Sequence, residues 1–185
     1  MEGIKKLHLF GSPLRDSDLA LFRHQTELRE LSITDAAVTD AGLEALSDMH
    51  LLETLYLNDT QITDAGLEAL AKLPRLRTLS IGDSLWFSIG RPRDATAVED
   101  THITDLGMTH LAQLPRLEEL FIDETRVTDE GLKHLHSCRS LKLVVVSDIV
   151  SDMVSDKAMA ALRSEIPGCR VVRGRANIPH THSDQ

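Results

Sequence analysis

The apolar positions of this chain switch between two periods within each short stretch. Leu52 to Leu73 shows the switch most clearly. Leu55-Tyr56-Leu57 alternates apolar and polar, the pattern of a half-buried strand. Leu67, Leu70 and Leu73 then recur every third residue, one face of a short helix. Between them, Thr63 or Asp64 supplies a helix N-cap, whose side-chain oxygen can accept an orphan backbone N–H. Gly66 falls in the first helical turn, where it costs helix propensity, and close approach of that turn to a neighbour would account for it. Pro74, Pro115 and Pro167 stop the helices. One unit is therefore strand, turn, helix and return.

The unit repeats. Ile4, Leu28, Leu52 and Leu76 open successive copies, each 24 residues apart (28 − 4, 52 − 28, 76 − 52). Leu117 and Leu141 open two more, again 24 apart, while the step from Leu76 to Leu117 is 41, which leaves 17 extra residues in the fourth repeat. After Leu141, Val154, Ser155 and Asp156 take the places of Ile62, Thr63 and Asp64, and Cys169 begins a partial repeat through Val172. Self-similarity at such a period predicts stacked units, because one unit cannot bury its apolar face alone.

In register stand Val38-Thr39-Asp40-Ala41-Gly42-Leu43, Ile62-Thr63-Asp64-Ala65-Gly66-Leu67, Ile103-Thr104-Asp105-Leu106-Gly107-Met108 and Val127-Thr128-Asp129-Glu130-Gly131-Leu132. With the Leu-x-x-Leu-x-Leu strand, this resembles the leucine-rich repeat family, from Ile4 to Val172. The Thr-Asp-x-Gly-Leu version looks like bacterial repeats of the planctomycete type and is similar to the arrays of F-box substrate receptors. The resemblance implies an α/β fold: a right-handed solenoid of about six 24-residue repeats, with a parallel concave sheet and convex helices. The family's Asn ladder is absent, with Ser12, Ala36, Thr60 and Thr125 in its place, so hydroxyls are expected to satisfy part of each loop. Residues 1–173 form the repeat domain, with an insertion at 85–101, and 174–185 read as a disordered tail.

Composition narrows the function. A net charge of −9 argues against a nucleic-acid partner, since such binders present a basic face. Met1 to Gln25 has no apolar h-region and no long apolar run occurs, so neither a signal peptide nor a membrane span is expected. Cys138 and Cys169 fall where other repeats hold Leu or Ile and read as small core residues, which fits a reducing cytoplasm. His110 and His134 share a helix position, with His136 nearby, but no ligand spacing completes a zinc set, and no metal or cofactor is expected. A nucleophile elbow, a phosphate-binding glycine loop and a nucleophile with its base are all missing from the sequence, so the chain reads as no enzyme.

Candidate binding residues lie between the repeated anchors. Outward strand positions form columns about 5 Å apart: His8, Ser32, Tyr56, Ser80, Phe121, Val145, and beside them Phe10, Thr34, Asn58, Gly82, Asp123, Ser147. Tyr56 and Phe121 read as exposed anchors or as isolated surface aromatics. A third column, Gly11, Asp35, Asp59, Asp83, Glu124, Asp148, forms an acidic stripe whose neighbours repel by roughly 0.8 kcal/mol even in water. It would attract a basic segment, or it reflects the turn preference of Asp. The insertion carries the only tryptophan, Trp86, with Phe87, Arg91 and Arg93, the residue types that interface hot spots favour. Its apolar half could equally fold onto its own solenoid.

The expected function is a non-catalytic protein-interaction module that binds a protein, for instance through a basic segment, by its concave face and insertion. An adaptor or homodimer using the N-terminal edge, where only Lys5 and Lys6 discourage strand pairing, is the first alternative. A small enzyme built from the His and carboxylate groups is the second.

Overall fold

A computed structural model describes residues 3–11, 13–82, 102–146 and 153–174. Seven parallel strands form one sheet in chain order: β1 Lys6–Phe10, β2 Glu30–Thr34, β3 Thr54–Asn58, β4 Thr78–Gly82, β5 Glu119–Asp123, β6 Leu143–Val146 and β7 Arg170–Arg173. Between them run α1 Asp16–Phe22, α2 Asp40–Glu44, α3 Asp64–Leu70, α4 Asp105–Leu111, α5 Asp129–His134 with a 3₁₀ turn at Leu135–Ser137, and α6 Asp156–Glu165. This is the expected solenoid of strand–helix repeats. The extra residues of the fourth repeat leave the stack intact: Thr78 pairs directly with Glu119 and Tyr56 with Ser80. The insertion 85–101 and the tail beyond Gly174 lie outside the described residues.

Inward strand residues and helix anchors build one continuous core. Leu28, Leu31, Leu52, Leu55, Leu67, Leu70, Leu79 and Leu120 are all fully buried. Cys138 and Cys169 are free and buried among them, as the sequence pattern predicts. Burial pushes the Cys138 thiol up to about 11, so it stays protonated and packs as a small apolar group.

The Thr-Asp-x-Gly motif proves to be a joint between repeats. Thr63 alone is the N-cap of α3, accepting from the Ala65 N–H at 3.2 Å. Asp64 reaches into the next repeat, where its carboxylate accepts from the Thr104 N–H at 2.8 Å and the Thr104 hydroxyl at 2.6 Å. The same rung joins Asp16 to Thr39, Asp40 to Thr63, Asp105 to Thr128 and Asp129 to Ser155, with every distance between 2.6 and 2.8 Å. The glycine follows from this geometry. A Cβ on Gly66 would stand 2.4 Å from Asp40 Oδ1, and one on Gly42, Gly107 or Gly131 would meet the same atom of its own rung at 2.4–2.5 Å.

The first repeat closes the series with the same chemistry. Arg15 holds the Thr position and Asp18 the Gly position. Asp18 Oδ2 accepts the Arg15 N–H at 2.9 Å, the donor that an interior repeat offers to its neighbour's aspartate. At the other end Asp156 Oδ1 lies 3.0 Å from Arg173 Nη2. Ala158 stands where the interior repeats hold glycine, and there the Ser155 cap differs. It accepts from the residue three positions on, at 3.1 Å, whereas each threonine cap accepts from the residue two positions on.

Gly66→Ala should therefore destabilise the fold by about 1–3 kcal/mol in denaturant unfolding, although alanine is the better helix former. The rung holds Asp40 in place, so its carboxylate cannot simply swing away. Acid should act through the same bonds. The Ser155 N–H, and then its hydroxyl, hold the Asp129 carboxyl below the usual aspartate value. Its stabilisation is complete above that value and disappears as pH falls through the lowered one. Thermal melts across acidic pH should thus show a shallower loss for Asp129→Asn than for the unmodified chain.

Candidate functional site

The concave face is set by register. Lys6, Glu30, Thr54, Thr78, Glu119 and Leu143 form one row, and His8, Ser32, Tyr56, Ser80, Phe121 and Val145 the next. The face has two halves. Around β1 to β4 it is polar: Glu30 accepts from Lys6 Nζ and His8 Nε2, each at 2.8 Å, and Ser32 Oγ faces Thr34 Oγ1 at 3.5 Å. Burial works to raise the Glu30 pKa, but the hydrogen bonds from Lys6 and His8 outweigh it and leave the carboxyl low. Around β5 to β7 the face carries an apolar cluster beside Glu119 and Arg170: Phe121 and Val145 are 5% and 4% exposed and pack with Leu143 and Val172, separate from the main core.

The described candidates fall into these surroundings unequally. Tyr56 is half-buried and stands between Ser32 and Ser80 in register, within the polar half. Phe121 is neither exposed nor isolated, because the valines and leucine beside it share its face. Asn58 is 4% exposed and pairs in register with Gly82, which in turn pairs with Asp123. Asp83, Trp86, Phe87, Arg91 and Arg93 lie outside the described residues.

The acidic stripe has a conformational origin. Gly11, Asp35, Asp59 and Glu124 all adopt a left-handed backbone, with φ of 55, 55, 55 and 52°. The chain leaves each of these strands through that turn, and aspartate tolerates it better than most side chains. Thr60 and Thr125, one residue on, donate their hydroxyls to the carbonyls of Leu57 and Ile122 at 2.8 and 3.2 Å, the loop role expected for them.

Two polar groups of this face were not singled out from the sequence. Ser80 is fully buried and its Oγ has no hydrogen-bond partner. Among the described residues, Glu119 is held only by the Thr78 hydroxyl, at 3.2 Å. A serine in a strand gives no sign of an unmade bond, so only the structure could find the first. Among the described residues no three His, Cys, Asp or Glu side chains gather as a metal site would require, and no helix is long and apolar enough to cross a membrane.

These features define a leucine-rich repeat fold. The family model described as Leucine Rich repeat matches residues 24–47 and 48–71, two consecutive repeats. The fold is similar to that of internalin C2 from Listeria monocytogenes, at 20% identity and a TM-score of 0.52, covering 92% of this chain and 81% of that one. It is also similar to a leucine-rich repeat protein of Leptospira interrogans, at 16% identity and a TM-score of 0.57, covering 91% of this chain but only 37% of that one. No curated protein matches the sequence. Repeats of this kind commonly mediate binding to other proteins through their extended concave surface.

Tyr56 offers a direct readout of this face, since the chain has one tyrosine. Burial first, then the charges of Glu30 and Glu119, push its phenol up to about 12 from 10.0. In the native protein, tyrosinate absorbance should rise with a midpoint near 12. The unfolded chain titrates earlier, so this contribution to stability is whole below pH 10 and is lost as pH approaches 12.

Proposed function

We propose that this chain is a non-catalytic protein-interaction module that receives a segment of a protein partner on its concave face, with Tyr56 near the centre of the contact. One observation carries the reading. The rung aspartate and the apolar character of the core positions recur from repeat to repeat, whereas the outward row changes in size and polarity from strand to strand, through His8, Ser32, Tyr56, Ser80, Phe121 and Val145. The recurring positions hold the stack together; the varying ones are free to specify a partner. Asn58, Asp59, Asp123 and Glu124 rim this surface. The insertion, with Asp83 just before it and Trp86, Phe87, Arg91 and Arg93 within it, is assigned to the same contact on its composition.

Self-association through the first repeat is the second reading. It is favoured by Ile4, Phe10 and Leu21, which are 52, 44 and 71% exposed and stand at one end of the stack.

Capture from native lysate separates these readings. A chain carrying Thr54→Arg and Tyr56→Ala should lose the captured protein, while Glu44→Arg on the exposed side of α2 should retain it, with both variants melting as cooperatively as the parent. Equal capture by the two variants overturns the concave-face reading. Under the second reading, sedimentation velocity should show a concentration-dependent dimer that Leu21→Lys abolishes.

A further inference from the structure

Bonding on the concave face is incomplete at two neighbouring points. Glu30 is paired with Lys6 and hydrogen-bonded to His8, but Glu119, the other glutamate on that face, has no cation beside it among the described residues and accepts only from Thr78. Ser80 is 0% exposed, and its Oγ makes no hydrogen bond. Buried hydroxyls are nearly always bonded, and leaving one unmade carries the full cost of its desolvation. Register places the two groups together. Ser80 stands between Tyr56 and Phe121, while Glu119 pairs with Thr78, two residues before Ser80 on the same strand.

We propose that Glu119, Ser80 and Tyr56 form a subsite for one lysine or arginine side chain of the protein partner. This rests on the concave-face reading and specifies the chemistry of what that face receives. A carboxylate is acceptor-only, whereas an ammonium carries three donors and a guanidinium five, so one cation can serve Glu119 and the Ser80 oxygen together. The Tyr56 ring lies beside Ser80 in register, where its face can receive the cation's positive charge. Leu143, only partly buried and paired with Glu119 in register, continues the face on the far side and suits the aliphatic stem of the same side chain. A neutral amide or hydroxyl would leave the Glu119 charge uncompensated. Ser80 is closed to solvent in the free chain, so reaching its oxygen requires a neighbour to move, and that movement falls to Tyr56, half-buried and paired with Ser80 in register. The basic partner expected from sequence is thereby relocated, from the turn stripe at Asp59 and Glu124 to the strand face at Glu119.

The probe is an oligo-arginine peptide, titrated against the full chain with amide shifts followed by NMR. Shift changes are expected at Tyr56, Ser80 and Phe121. Glu119→Gln should weaken binding about tenfold, the scale of one charged hydrogen bond. Glu68→Gln, the same charge change on the exposed side of α3, should weaken it less than about twofold. Ser80→Ala should weaken binding several-fold while leaving the free protein as stable or more so, since it removes an unbonded buried hydroxyl. Equal losses from Glu119→Gln and Glu68→Gln, with the shifts still on β3 to β5, overturn the subsite and leave the concave-face reading standing. Shifts confined to the helices overturn both. A Ser80→Ala protein of lower stability overturns the subsite as well, because the hydroxyl would then be bonded before any partner arrives.

Discussion

The carboxylate rung between successive repeats is the constraint on which this structure depends. Apolar burial supplies most of the stabilisation, but it is non-directional and tolerates sliding. Parallel strands do not tolerate it, because a slip of one residue turns every side chain to the opposite face. Each rung ties two backbone positions together through an N–H and a hydroxyl on one carboxylate, as Asp64 does with Thr104. Charged hydrogen bonds are worth roughly 1.5–3 kcal/mol each, enough to make a shifted register costly. The rung also dictates composition. A hydroxyl residue is needed because one side chain must donate outward and cap its own helix, as the threonines and Ser155 do, and glycine beside the threonine caps is needed because Asp Oδ1 occupies the space of a Cβ.

The same logic explains how the stack stops. At Asp18 the first repeat places a carboxylate where an interior repeat must keep that space empty, and it serves its own Arg15 N–H. At Asp156 the outgoing carboxylate meets Arg173, whose guanidinium also donates to the Val154 carbonyl at 2.7 Å. Both ends therefore satisfy the polar groups that a further copy of the motif would have satisfied. What remains open at the first repeat is apolar, at Ile4, Phe10 and Leu21.

Period and anchors were legible in the sequence because they are one-dimensional: leucines every 24 residues, a glycine two positions after each aspartate, cysteines in leucine slots. The partner of each aspartate was not, because that bond crosses a repeat. Asp64 and Thr104 lie 40 residues apart, with the insertion between them, and reading Thr63 and Asp64 as alternative caps missed that each has its own task. The acidic stripe was visible, but its left-handed φ was not, and it is the backbone that favours aspartate there. Phe121 was assigned to the outward column correctly; that it packs with Val145, Leu143 and Val172 in a cluster of its own is a relation between columns that no single column displays. Ser80 and Glu119 matter through bonds they do not make, and an absent bond leaves no trace in a residue pattern.

Placing the register on the helix side frees the strand side. The rungs sit at the starts of α2 to α6, whereas Tyr56, Ser80 and Glu119 project from the opposite face of the sheet. A substitution among the outward residues therefore leaves the rungs and the leucine core unaltered, and the fold can carry an unmade hydrogen bond at Ser80 without losing its stacking. That tolerance has a limit. The cost of a buried, unbonded hydroxyl is borne by the whole domain, so it persists only where the surrounding repeats are stable enough to absorb it. Ser80 lies at the middle of the sheet, with three strands on one side of β4 and three on the other. This is where the stack is most firmly held, and where an unsatisfied group can best be kept ready for a partner.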